Sequence, residues 1–245
     1  MRSTAPPSGS AGPFAALQAV LERIAEACRR VDRDPSSARL IAVSKTFPAE
    51  RVRELLGCGQ TRFGENRVQE ALDKVPRVGP GAVWHLVGHL QRNKARHAVG
   101  AFELIHSVDD VRLARELDRR AAGAGIRQSV LLQVNLSREL TKSGVAEGDL
   151  PRLLDDVLPL EHLDLRGLMT IPPPVERAEE SRRWFARLRE LRDAAAIRAG
   201  CGLPELSMGM TGDFEVAVEE GATLVRVGRA IFGERGPTPA PPESP

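Results

Sequence analysis

The residue with the clearest chemical potential is Lys45, one of only four lysines in a chain that otherwise uses arginine for its basic side chains. It follows a β-branched apolar run, and the two-residue period of a strand predicts that it shares a face with Ile41 and Val43. Desolvation in an apolar interior lowers the pKa of an amine, and the free amine forms Schiff bases with carbonyl compounds. Periodicity alone leaves open that Lys45 is a strand-end lysine that reaches solvent.

Two glycine-containing turns are candidate phosphate sites. The first, at 207–212, reads SMGMTG and precedes a predicted helix, and the second, at 228–230, opens a short final helix. Backbone N–H groups at a helix N-terminus attract anions, and the hydroxyls of Ser207 and Thr211 add donors. The alternative is that these glycines serve only turns and helix caps.

Arg226 and His85 are further candidates for the same site. Arg226 lies between Val225 and Val227 in a predicted strand, and its permanent charge requires a partner. A pyridine nitrogen would serve, and the arginine would then disfavour protonation of that nitrogen. The alternative is a salt bridge to a neighbouring carboxylate. His85, near the end of another predicted strand, is a candidate to stack on or hydrogen-bond a bound ring, or else a packed core histidine.

The elements that must position these residues alternate between short apolar runs and longer stretches of helical period, which is typical of repeated βα units. Eight such units predict an α/β fold with one closed (β/α)8 barrel of the TIM type, whose reactive groups lie at the carboxyl ends of the strands. The predicted strands are 39–46, 62–66, 82–88, 103–108, 129–136, 165–171, 205–210 and 223–228.

An extra helix is predicted before the first strand, because apolar residues recur there at three- and four-residue spacing. Its predicted apolar stripe consists of Leu17, Val20, Leu21, Ile24, Cys28 and Val31. We predict one barrel domain over 13–235, a disordered N-terminal segment over 1–12 and a disordered proline-rich tail over 236–245.

Composition excludes several classes of function. A net charge of +2 and a pI of about 8.6 are too mild to indicate a nucleic-acid partner. The basic run at 91–97 lacks interleaved aromatic residues and is interpreted as a solvated helix face. The three cysteines have neither disulfide nor metal-site spacing, so no metal is predicted and a reducing cytoplasm is favoured. No segment has the pattern of a secretion signal or the length of a membrane span, so no membrane partner is expected.

Taken in order, the motifs resemble those of the pyridoxal 5'-phosphate (PLP) homeostasis protein family over roughly residues 14 to 235. They read IAVSKTFPAE, RFGENRVQEA, WHLVGHLQRNKAR, TKSG, LRGLMTIPP and LSMGMTGDFEVAVEEGATLVRVGRAIFGER. The resemblance implies a barrel like the N-terminal domain of alanine racemase, with PLP on Lys45. It also implies cofactor contacts from Asn66, Ser207, Arg226, Gly228 and Arg229. Two positions depart from the family, which usually has serine at Thr211 and often a hydroxyl residue at Arg229.

The resemblance further implies a protein that binds PLP and supplies it inside the cell, with effects on amino-acid and keto-acid balance and with PLP-dependent apo-enzymes as candidate recipients. The alternatives are a PLP-dependent amino-acid racemase and an aldolase-like barrel without PLP. The chain contains no tyrosine, the residue that opposes the lysine in the two-base mechanism of alanine racemase, which argues against the racemase. No catalytic residue is therefore assigned. We expect a monomer, because the domain through which racemases dimerise is missing.

Overall fold

The computed structural model describes residues 12–137, 139 and 142–233. The predicted disordered segments at 1–12 and 236–245 lie outside these residues, apart from Gly12. The β-strands are β1 Arg39–Val43, β2 Arg62–Glu65, β3 Val83–Leu86, β4 Leu104–Val108, β5 Gln128–Asn135, β6 Val145–Ala146, β7 Leu163–Met169, β8 Glu205–Ser207 and β9 Leu224–Val227.

The α-helices are α1 Pro13–Arg30, α2 Ala49–Gly57, α3 Val68–Val78, α4 Ala95–Ala98, α5 Val111–Ala124, α6 Leu150–Val157, α7 Arg182–Ala199, α8 Phe214–Glu219 and α9 Arg229–Phe232. Short 3-10 helices occupy Pro35–Ser37, Arg92–Lys94, Glu147–Asp149 and Ala178–Ser181. Helices thus follow the strands in the order that the sequence predicts.

Eight parallel strands close into a barrel. β1 pairs with β2 on one side and with β9 on the other, and β4 pairs with β5 to close the ring. The two-residue strand β6 pairs only with β5 and lies outside the ring. The predicted (β/α)8 barrel with an extra N-terminal helix is confirmed, and β6 is the one strand that sequence reasoning missed.

Apolar side chains fill the barrel and the layer between barrel and helices. Ile41 and Val43 of β1 belong to the interior cluster, as the two-residue period predicts. On α1, Ala27 is buried beside the predicted stripe, whereas Leu21 and Val31 are 37% and 38% exposed. The prediction for these two residues was wrong, because Leu21 lies at the edge of the buried face and Val31 lies beyond the end of the helix.

Several strands end earlier than predicted at their carboxyl ends. β1 stops at Val43 and β8 at Ser207, so Lys45 and the turn that contains Thr211 belong to the loops above the barrel. These βα loops form the face on which (β/α)8 barrels carry their sites.

Candidate functional site

A cavity of about 740 Å³ opens at the carboxyl ends of the strands. Six of the eight predicted site residues line it, namely Lys45, Asn66, Thr211, Arg226, Gly228 and Arg229. The other two, Ser207 and His85, are buried and do not form part of its wall. Six of the residues predicted from the sequence thus form the cavity wall, and the other two belong to a buried layer beneath it.

Lys45 lies two residues beyond β1, on a backbone that turns sharply. The next residue, Thr46, has a φ of 68°, which is uncommon for a β-branched residue. The N–H of Thr46 donates to Glu70 Oε1 at 2.5 Å, and this bond stabilises the turn. The turn and α3, which carries Glu70, together set the direction in which Lys45 leaves the strand.

A buried ion cluster joins the strand ends that carry Lys45 and Asn66. Lys74 Nζ donates to the Ser44 carbonyl oxygen at 2.8 Å and to Glu65 Oε1 and Glu70 Oε1 at 2.7 Å each. Ser44 Oγ donates to Glu65 Oε1 at 2.6 Å. Burial raises the pKa of Glu65, although the hydrogen bonds from Lys74 and Ser44 oppose that shift. We did not predict this cluster; its available signal was the four-residue spacing of Glu70 and Lys74 in a lysine-poor chain.

Arg226 places a buried positive charge at the cavity. Its Nη1 donates to Ser207 Oγ at 2.6 Å and its Nη2 to the Thr170 carbonyl oxygen at 2.9 Å. Both acceptors are neutral. Within the described part of the chain, Arg226 forms no salt bridge, so the alternative prediction of a salt bridge was wrong. Desolvation lowers the pKa of Arg226 to about 10, and a guanidinium with this value remains charged at neutral pH.

Two buried histidines lie beneath Arg226. His106 Nδ1 is 2.8 Å from Ser207 Oγ, and His106 Nε2 is 2.9 Å from His85 Nδ1. Burial lowers the pKa of His85 to about 3, with smaller contributions from nearby arginines, and burial also lowers the pKa of His106 well below its usual value. Both rings are therefore neutral. His85 is placed as a core histidine that hydrogen-bonds His106, and His106 is a polar residue that sequence reasoning missed.

The turn after β8 presents unused donors to the cavity. The N–H groups of Thr211 and Gly212 and the Thr211 hydroxyl make no hydrogen bond to any described residue. The only carboxylate in this turn, Asp213, is occupied, because its Oδ1 accepts from the Met210 N–H at 2.7 Å and its Oδ2 from Ser181 Oγ at 3.0 Å. The turn can therefore receive an anion without a competing free carboxylate.

Asn66 reaches the cavity wall because Gly88 has no side chain. A Cβ on Gly88 would lie 2.3 Å from the Asn66 carbonyl oxygen and 2.7 Å from the Asn66 Cα, which are backbone atoms that cannot simply rotate away. The close approach of these two loops therefore depends on glycine at position 88.

We predict that Gly88→Ala lowers the free energy of unfolding by about 1–3 kcal/mol, because the added methyl group displaces the Asn66 backbone. Gly123→Ala is the matched control, since Gly123 lies in α5 with open space around its Cα. There we expect unchanged or increased stability, by up to about 1 kcal/mol, from better helix propensity. Urea denaturation of both variants measures the difference, and equal stabilities would contradict the packing argument.

Three more titratable side chains line the cavity, those of Lys142, His89 and Glu176. Lys142 Nζ donates to Glu139 Oε1 at 2.9 Å, and His89 Nδ1 is 3.8 Å from Asp109 Oδ2. Burial raises the pKa of Asp109, while a hydrogen bond from the Gly144 N–H opposes the shift. Lys142 is thus a second cavity lysine, against which the behaviour of Lys45 can be compared.

The described residues contain no group of three or more histidine, cysteine, aspartate or glutamate side chains arranged to hold a metal ion. Within the same residues, no helix combines the length and the apolar character needed to cross a bilayer.

The barrel and the lysine-bearing cavity define the class of protein. Residues 16–236 match the family model for the alanine racemase N-terminal domain. The fold also resembles an alanine racemase of Clostridium difficile 630, with a TM-score of 0.69 and 15% identity, over 92% of this chain and 58% of that enzyme. The chain is therefore an alanine racemase N-terminal-domain barrel.

Within that class the chain belongs to the pyridoxal phosphate homeostasis protein family. It is 47% identical to the pyridoxal phosphate homeostasis protein of Aquifex aeolicus, over 89% of this chain and 96% of that protein. The protein of the same name from Pseudomonas aeruginosa is 45% identical over 88% and 93%. PipY of Synechococcus elongatus PCC7942, solved with PLP bound, has 44% identity and a TM-score of 0.77, over 86% of this chain and 100% of PipY. The resemblance predicted from the motifs is confirmed.

Proposed function

We propose that this chain binds PLP as a Schiff base on Lys45 and takes part in intracellular PLP homeostasis. The observation that carries the proposal is the buried charge of Arg226, whose hydrogen-bond acceptors are both neutral and which lines the same cavity as Lys45. The aldehyde that PLP supplies would condense with the Lys45 amine. The names of the relatives and the PLP-bound structure of PipY support the same cofactor.

The residues of the cavity fit the two ends of PLP. Arg226 only donates hydrogen bonds, so it suits an aromatic nitrogen that accepts one and remains unprotonated. The unused N–H groups of Thr211 and Gly212 suit a phosphate group, together with the turn at Gly228 and Arg229. Asp213 accepts hydrogen bonds from the Met210 N–H and from Ser181 Oγ, so its oxygens do not occupy the N–H groups of Thr211 and Gly212.

The same residues favour storage of PLP over catalysis with it. A guanidinium beside the ring nitrogen disfavours its protonation, and an unprotonated ring withdraws electrons less strongly. The absence of tyrosine from the sequence also removes the usual second base of a racemase. We therefore propose a role in storing and supplying PLP, with PLP-dependent apo-enzymes as recipients and with effects on amino-acid and keto-acid balance. The cytoplasmic location, the monomeric state and the domain bounds remain predictions from sequence.

Titration of the purified protein with PLP tests the binding function. We expect a visible absorption band that saturates at one equivalent, and we expect Lys45→Ala to lose that band. Lys142→Ala is the matched control, because it removes the other cavity lysine and should keep the band. A wild-type protein that takes up no PLP would overturn the proposal and would favour the barrel enzyme without PLP.

The racemase alternative is tested with single enantiomers of amino acids. His89 beside Asp109 is the arrangement in the cavity that could accept a proton in place of tyrosine. We expect no sustained loss of optical rotation when the PLP-loaded protein is incubated with an L-amino acid such as L-alanine. Sustained loss that His89→Gln abolishes would establish the racemase instead.

A further inference from the structure

A column of polar side chains runs down the barrel interior from the cavity to the opposite face. Arg226 contacts Ser207, Ser207 contacts His106 and His106 contacts His85, at 2.6, 2.8 and 2.9 Å. His85 Nε2 then lies 3.7 Å from Oε1 of Glu103, which immediately precedes β4 and is 53% exposed. The other four residues are at most 4% exposed, so the column passes through the buried interior of the barrel, where the apolar cluster of Ile41 and Val43 also lies.

The hydrogen bonds in this column have one direction. Arg226 can only donate, so it occupies a lone pair of Ser207 Oγ. The single hydroxyl proton of Ser207 has one acceptor among the described residues, His106 Nδ1. His106 must then carry its proton on Nε2 and donate to His85 Nδ1. His85 in turn carries its proton on Nε2, which faces the carboxylate of Glu103.

The reverse direction leaves one more polar group unsatisfied than the forward direction, in which His85 Nε2 alone lacks a hydrogen-bond partner and lies 3.7 Å from Glu103 Oε1. If His106 carried its proton on Nδ1, the Ser207 hydroxyl proton would have no acceptor, and a bare His85 Nε2 would face a carboxylate oxygen. A buried group left without its hydrogen bond costs about 1–3 kcal/mol. The low pKa values of both histidines agree with neutral rings, each of which can donate only once.

We infer that His106 and His85 are positioning residues, which act through Ser207 to fix the guanidinium of Arg226 at the cavity by hydrogen bonds to neutral acceptors. A carboxylate in place of Ser207 would orient the arginine equally well but would cancel the charge. The column thus holds Arg226 with neutral acceptors only. Its consequence for PLP rests on the proposed function, whereas the direction of the hydrogen bonds is a property of the protein itself.

NMR of the full-length protein with ¹⁵N-labelled histidine tests the direction without any cofactor. We expect the ring nitrogens of His106 and His85 to show the Nε2–H tautomer at neutral pH. Assignment rests on the loss of one signal set in His106→Asn and of the other in His85→Phe. An Nδ1–H tautomer, or a protonated ring, at either residue would overturn the inference even if PLP binding is established.

Variants of His106 test the positioning role. His106→Leu leaves the Ser207 hydroxyl without an acceptor, and we expect PLP affinity to fall by about threefold to tenfold, as for the loss of one buried hydrogen bond. His106→Asn can accept from Ser207 through its amide oxygen and should recover most of that loss. The pH midpoint of the PLP absorption band should move in the leucine variant and return in the asparagine variant. Identical spectra and affinities for all three proteins would contradict the positioning role.

Discussion

Lys74→Met is expected to lower the free energy of unfolding by about 3–5 kcal/mol, because it strands the carboxylate of Glu65 without its cation. Glu65 is fully buried, and Lys74 is its only ionic partner within the described residues. Its other hydrogen-bond donor is the hydroxyl of Ser44, which is neutral. The substitution also removes the bond from Lys74 to the Ser44 carbonyl oxygen, next to Lys45. Urea denaturation at neutral pH measures the loss, and PLP titration shows whether Lys45 is displaced.

Two comparisons separate this effect from the loss of a lysine as such. Lys142→Met removes a partly exposed ion pair with Glu139 and should cost at most about 1 kcal/mol. The double variant Glu65→Gln with Lys74→Met removes the stranded charge and should recover part of the stability. If Lys74→Met were no more damaging than Lys142→Met, the ion cluster would not hold the two strand ends together.

Acidification below pH 6.5 is expected to destabilise the protein steeply, because His85 and His106 are buried in their neutral forms. Their folded-state pKa values lie below the unfolded value, so the unfolded chain binds more protons and stability is lost as the pH falls through about 6.5. The loss for His85 continues toward its folded pKa of about 3. His85 contributes about 1.4 kcal/mol per pH unit in this window, so at pH 5 it costs about 2 kcal/mol, and His106 adds a loss in the same direction.

Denaturation curves at pH 7, 6 and 5 measure this slope, and variants assign it. His85→Phe removes one of the two groups and should make the slope shallower. His162→Gln is the control, because it removes a histidine whose side chain is 41% exposed, and its slope is compared with that of His85→Phe. Histidine ring signals that titrate near pH 6.5 in the folded protein at both positions would contradict the account.

The sequence predicts the barrel because its evidence is local and repeated. Strand and helix periods alternate eight times, and each strand end carries a polar residue or a glycine turn. The same reasoning places Lys45 at the carboxyl end of β1, where it lines the cavity, although β1 ends at Val43 and Lys45 lies in the loop beyond it. Periodicity alone did not decide between a cavity lysine and a lysine that reaches solvent. The two-residue strand β6 is too short to leave a periodic signal.

The layer beneath the cavity was harder to predict, because it depends on contacts between residues far apart in the chain. His106 and Ser207 are 101 residues apart, and no spacing rule links them. His85 alternates correctly to face the interior of the barrel, but sequence alone does not give its depth. The sequence therefore left open a contact with a bound ring or a place in the core, and the structure places His85 in the core. The Lys74 cluster likewise joins two strands to α3. The sequence indicates only the pair within the helix, Glu70 and Lys74, through their four-residue spacing.

The central claim is that Lys45 holds PLP covalently, and borohydride reduction followed by peptide mass mapping tests it most directly. Reduction makes a Schiff base permanent, so the PLP-loaded wild-type protein should carry the phosphopyridoxyl mass on the peptide that contains Lys45. Lys142→Ala should be labelled in the same way, and Lys45→Ala should carry no label there. A label found on Lys142 instead, or PLP that binds but is never fixed to Lys45, would contradict the account.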